Sequence, residues 1–93
     1  MADEQAILEI AGLIVDGVAV SEALLAGDLQ EARFRAHMVA DHASIHGLPR
    51  VEAIAFEVVR LLGEGNRPPL PGYAEAIVDL SEELDRVISL VRQ

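Results

Sequence analysis

Apolar residues recur at three- and four-residue steps along most of the chain, which is the period of a helix packed on one side. No run alternates strictly between apolar and polar, as a half-buried strand does. Four segments carry the helical pattern. The first covers residues 3–26, with Ile7, Ile10, Leu13, Ile14, Val18, Leu24 and Leu25 as its stripe. Gly12 and Gly17 weaken it by roughly 1 kcal/mol each relative to Ala. Gly27 then suits a helix end, and Asp28 suits the cap of the next helix, with Glu31 at capping-box spacing. The second segment covers residues 29–46 and stops at Gly47. Pro49 fits a first helical turn, so the third segment covers residues 49–62, with Val51, Ile54, Ala55, Val58, Leu61 and Leu62 on one side. Residues 63–72 hold the densest Gly/Pro punctuation and read as the one long connection. The fourth segment covers residues 73–92, with Ile77, Leu80, Leu84, Val87, Ile88 and Val91 at helical spacing. Two short turns and one longer loop between such helices predict an all-α, antiparallel up-down-up-down four-helix bundle. Its core should contain Val39, Ala43, Val51, Ile54, Ala55, Val58, Leu80, Leu84 and Val87.

Length and charge narrow this picture. Ninety-three residues make one domain, residues 1–93, with one core. Aromatic residues amount to 3%, too few for a platform on which bases stack. Sixteen acidic residues against seven arginines give a net charge of −9, and there is no lysine. Such a surface repels phosphate backbones and anionic lipid, so neither nucleic acid nor membrane is an expected partner. The absence of cysteine excludes disulfides and thiolate chemistry. The acidic start Met1-Ala2-Asp3-Glu4 is unlike a basic signal peptide, and no apolar run reaches the roughly 20 residues of a membrane span. The expected setting is the cytoplasm. Pro68 to Pro71 has the spacing of a proline-recognition motif but reads first as a stiff loop. Glu82, Glu83 and Asp85 read as a solvated helix face.

The three histidines, His37, His42 and His46, all lie in the second segment. At about 100° per residue, Leu29, Ala32, Ala36, Val39 and Ala43 fall together as its core side. His37 turns roughly 120° or more away from the centre of that side, with Arg33 and Asp41 one turn either way as surface neighbours. Phe34, Met38 and Ile45 form a second apolar strip beside it, either filling a groove between helices or standing exposed as a docking patch. His42 and His46 are four apart, a spacing that can hold a metal, but no carboxylate within the helix completes a ligand set and Arg35 opposes a cation. They read as solvated polar groups, His46 at the negative end of the helix dipole, and no metal site is expected.

The run from Gly27-Asp28 to Ala36-His37 resembles the entry to the phosphoacceptor helix of histidine-containing phosphotransfer (HPt) domains. Ala43 and Gly47 stand where that family places a small core residue and the helix-ending glycine, and Val51, Ile54, Ala55 and Val58 follow its next stripe. The same pattern serves the phosphoacceptor domains of chemotaxis kinases. The resemblance covers residues 27–58 and implies a four-helix antiparallel bundle with His37 as phosphoacceptor. It implies a response-regulator receiver domain, a hybrid histidine kinase, or both, as partners. It implies no cofactor on this chain, because Mg²⁺ comes from the receiver. The chain departs from the family at three positions: Ala40 stands where Lys is usual, Asp41 where Gly is usual, and His46 where an apolar residue usually precedes the glycine. At about 5–6 Å, a carboxylate facing a phosphoryl dianion costs about 1.4 kcal/mol at the dielectric of water and about 5 kcal/mol at an effective value of 20. Arg33 is placed to offset part of that. In the implied chemistry a neutral ring nitrogen of His37 attacks a receiver aspartyl phosphate in line, then yields the phosphoryl group to another receiver aspartate. Such a domain is a phosphocarrier rather than an independent enzyme.

Three readings follow. The chain carries phosphate on His37; or it is a degenerate relative that docks on a receiver or kinase without carrying phosphate; or it is an unrelated four-helix interaction module with His37 as an ordinary surface histidine. No Ser–His–acid set and no glycine-rich phosphate loop is visible to support other enzyme chemistry.

Overall fold

In the computed structural model, which describes residues 4–92, four helices account for most of the chain: α1 (Glu4–Leu25), α2 (Leu29–Ile45), α3 (Pro49–Leu62) and α4 (Tyr73–Val91). No strand occurs among the described residues. The expected start of the first helix at Asp3 lies outside them. The α1–α2 and α2–α3 turns are built alike. Gly27 and Gly47 take φ of 75° and 66°, a left-handed backbone that favours glycine. The following residue then donates back over the helix end, Asp28 N to Ala23 O at 2.8 Å and Leu48 N to Ala43 O at 2.9 Å. Asp28 caps α2 by accepting from Glu31 N at 3.0 Å, but the reciprocal half of the capping box is not made, because the Glu31 carboxylate accepts instead from Arg35. Pro49 opens α3, and residues 63–72 form the long non-helical connection to α4.

Each helix packs on two neighbours: α1 on α2 and α4, α3 on α2 and α4. The resulting body measures 46 × 20 × 19 Å. Its cross-section is close to two helix diameters of about 10–12 Å in either direction. The core is aliphatic and runs along the centre, with Leu13, Val20, Val39, Val51, Val58, Leu62 and Leu80 at most 1% exposed. Ala32, Ala36, Ala40 and Ala43 are fully buried on α2, which lets this helix approach both α1 and α3.

Several expectations change. Ile54 and Val87 are only partly buried; they pack on the edge of the core rather than inside it. Glu83 is not solvated but buried, 6% exposed, held by Arg50 at 3.3 Å and by Arg86. On α1 the buried line is Leu13, Asp16, Gly17, Val20 and Ala23, while Val18 and Leu25 of the expected stripe are exposed. Gly17 on the buried line stands close against α4: a Cβ there would lie 2.6 Å from Leu84 Cδ1, so a larger residue would require that side chain to shift.

Candidate functional site

Helix α2 presents two differently charged sides. Towards α1 it carries Arg35, His42 and His46. Arg35 Nη1 donates to Asp16 Oδ1 at 2.8 Å, and Arg35 Nε to Glu31 Oε1 at 3.0 Å. These bonds, that to Asp16 foremost, raise the Arg35 pKa above its ordinary value. His42 Nδ1 lies 3.8 Å from the other Asp16 oxygen, and His46 Nδ1 lies 3.3 Å from Glu9 Oε2. The His42/His46 pair is therefore not simply solvated: each ring faces a carboxylate that α1 supplies. Among the described residues no group of three or more His, Cys, Asp or Glu is gathered so as to hold a metal ion.

Towards α3 the same helix carries Arg33, His37 and Ala40. Arg33 is not the surface neighbour of His37 that the helical pattern predicts. It is 9% exposed and its guanidinium is committed to backbone carbonyls at the end of α3 and in the α3–α4 connection. Nε and Nη2 donate to Leu62 O at 3.1 and 3.0 Å, Nη1 to Gly65 O at 2.8 Å, and Nη2 also to Arg67 O at 2.8 Å. This satisfies a buried charge with acceptors in the planar fan that a guanidinium fits. It also pins the loop to α2. Ala40, in the position where the resembled family has Lys, is fully buried in the core and takes no part in the surface beside His37. Asp41 is exposed, as is His37.

His37 sits at a cavity of about 320 Å³ lined also by Val59, Arg60, Gly63, Glu64 and Arg67. Two of these are cations that the sequence reading did not connect with the histidine. Arg60 is paired with Glu57, Nε donating to Oε2 at 3.0 Å with a second contact through Nη2. Those bonds hold the Glu57 carboxyl below its ordinary range and raise the Arg60 pKa. The Arg67 guanidinium makes no hydrogen bond or ion pair with the described residues; only its backbone is engaged, the N–H donating to Glu64 O at 3.5 Å and the carbonyl accepting from Arg33. Arg67 is the sole cation in residues 63–72, a signal the sequence carried. That the loop folds back over α2 was not legible, because Arg33 makes that link across roughly thirty positions.

The apolar strip is settled in favour of exposure. Phe34 is 55% and Ile45 73% exposed, and Met38 is half-buried between them. Phe34 also lies under the Arg35 guanidinium, 6.0 Å from Cζ to the ring centre. His37, Asp41 and the strip thus share the open side of α2.

Comparison with known proteins gives no match to this chain among family models, curated proteins or solved structures. No helix among the described residues is long and apolar enough to cross a membrane.

Proposed function

We propose that the chain is a histidine phosphotransfer protein of a two-component phosphorelay, carrying a phosphoryl group on His37 between receiver-domain aspartates. One observation carries this reading. The exposed His37 stands at a cavity with two arginines and beside an exposed apolar strip, whereas His42 and His46 each face a carboxylate. An anionic group in transit needs cations at its oxygens and a surface from which water is excluded. The ring of helix contacts and the short turns favour an antiparallel up-down-up-down course, in which α2 presents His37 sideways to an incoming domain.

In the proposed transfer a ring nitrogen of neutral His37 forms the P–N bond. The acyl-phosphate P–O bond breaks and its electron pair leaves on the receiver's aspartate oxygen. The proton on the other ring nitrogen remains there until water removes it. Return to a second aspartate reverses these steps. Mg²⁺ belongs to the receiver in this scheme, and the chain contributes the nucleophile, the cationic cavity and the docking strip. The partners are a receiver domain, a hybrid kinase, or both, met in the cytoplasm.

A second reading draws on Asp41, whose exposed carboxylate lies one turn from His37 and opposes a phosphoryl dianion. In it the chain docks on a receiver through Phe34, Met38 and Ile45 without accepting phosphate. Incubation with a panel of phosphorylated receiver domains separates the two. Acid-labile phosphate on the parent that is lost in His37→Gln supports transfer. Binding without phosphate supports docking alone, and phosphate that persists in His37→Gln refutes the site.

A further inference from the structure

We infer that Arg67, on the α3–α4 loop, is the residue that binds the phosphoryl oxygens on His37, a role that α2 itself has no side chain free to fill. The inference rests on the proposed phosphocarrier reading and identifies the charge partner of that site. On α2 the candidates are spent: Arg33 is buried against Leu62, Gly65 and Arg67 carbonyls, Arg35 is bonded to Asp16 and Glu31, and Ala40 is in the core. Of the two arginines lining the His37 cavity, Arg60 is bonded to Glu57. Arg67 is left with its guanidinium unengaged by described residues, on a backbone that Arg33 fixes through the Arg67 carbonyl at 2.8 Å.

Chemistry favours this assignment. A phosphoryl group in transfer spreads negative charge over three equatorial oxygens, and a guanidinium offers paired N–H donors that match two of them. The negative groups around this place are Glu64 in the cavity wall, Glu57 bonded to the cavity's Arg60, and Asp41 one turn along α2 from His37. Without a free cation their fields would add against the dianion. Positive charge from the loop rather than from the next turn of α2 is a different solution to the same electrostatic problem.

The test uses phosphoramidate, which needs no partner protein. A ring nitrogen of His37 bonds to phosphorus as the P–N bond of phosphoramidate breaks, and the ammonia released takes the ring proton as ammonium. Phosphohistidine is followed by phosphorus NMR in the whole chain, with His37→Gln defining the background. Arg67→Gln should slow His37 phosphorylation about tenfold, the scale of one charge-assisted hydrogen bond, and Arg67→Lys should recover part of the loss. Because Arg67 is exposed and only its backbone is bonded, these variants leave the fold in place. An unchanged rate in Arg67→Gln, with the parent phosphorylated on His37, overturns the inference and leaves the phosphocarrier reading standing. A parent that gains no phosphate at His37 refutes that reading instead. Titration with inorganic phosphate then decides the cavity: a shift of the His37 ring resonances that disappears in Arg67→Gln sustains Arg67 as an anion-binding residue, and the absence of any shift removes it.

Discussion

The two sides of α2 have similar sequences and different chemistry. Both carry an arginine and histidine within a few residues. On the α1 side, Arg35, His42 and His46 meet the carboxylates of Asp16 and Glu9. On the α3 side, Arg33 meets backbone carbonyls, and His37 meets a cavity with Arg60 and Arg67. An imidazole opposite a carboxylate is a partner in an ion pair when protonated. An imidazole beside cations is suited to accept an anion. The lesson is that the neighbouring helix, not the residue type, separates a structural histidine from a candidate reactive one.

The largest break in the comparison comes from exchanging the histidines. His37→Gln should reduce phosphate acceptance to background, while His42→Gln and His46→Gln should each leave most of it. This is read as acid-labile phosphate after incubation with phosphorylated receivers. Equal losses in all three would show that the two sides do not differ in the proposed way.

The arginines should differ in stability. Arg33→Met strips the donors from carbonyls of Leu62, Gly65 and Arg67, and should cost about 2–4 kcal/mol. Arg35→Met removes pairs to Asp16 and Glu31 from an arginine side chain that is 36% exposed, and should cost clearly less than Arg33→Met. Urea denaturation of the two variants measures the gap, and a cost for Arg35→Met as large as that for Arg33→Met would contradict it.

A smaller effect should follow from Asp41→Gly. Removing the carboxylate from the exposed side of α2 should raise the rate of phosphate acceptance by up to about tenfold, the equivalent of the roughly 1.4 kcal/mol repulsion expected in water. A slower rate in this variant would mean that Asp41 assists the reaction.

The smallest concerns the pair that occupies Arg60. Glu57 titrates below its ordinary range in the folded protein, so the pair stabilises the fold above that range. Its contribution is lost as the pH falls through the depressed folded value. The difference in thermal midpoint between the parent and Glu57→Gln should therefore shrink between about pH 7 and pH 3. A difference that grows on acidification would reverse the sign of the linkage.

Periodicity determined where the helices lie. Gly27, Gly47 and Pro49 mark ends that local backbone geometry imposes, and the strong one-sided stripes of α3 and α4 determine which side is buried. The exposure of His37 and Asp41 followed from the same angles. Helix α1 shows the limit of that argument. Apolar residues occur nearly all round it, so the stripe through Val18 and the line through Val20 were both available. The packed chain takes the second, with Gly17 against Leu84 and Asp16 accepting from Arg35.

The burial of two charged side chains was decided by tertiary structure. Glu83 among acidic neighbours and Arg33 beside His37 have the local look of solvated groups, yet both are buried with partners 33 and 29 to 34 positions away. Arg67 looks like an ordinary loop cation until Arg33 fixes its backbone near α2. A helical stripe is written in neighbours three and four residues apart, whereas a buried charge depends on acceptors that only the packed chain brings within hydrogen-bonding distance.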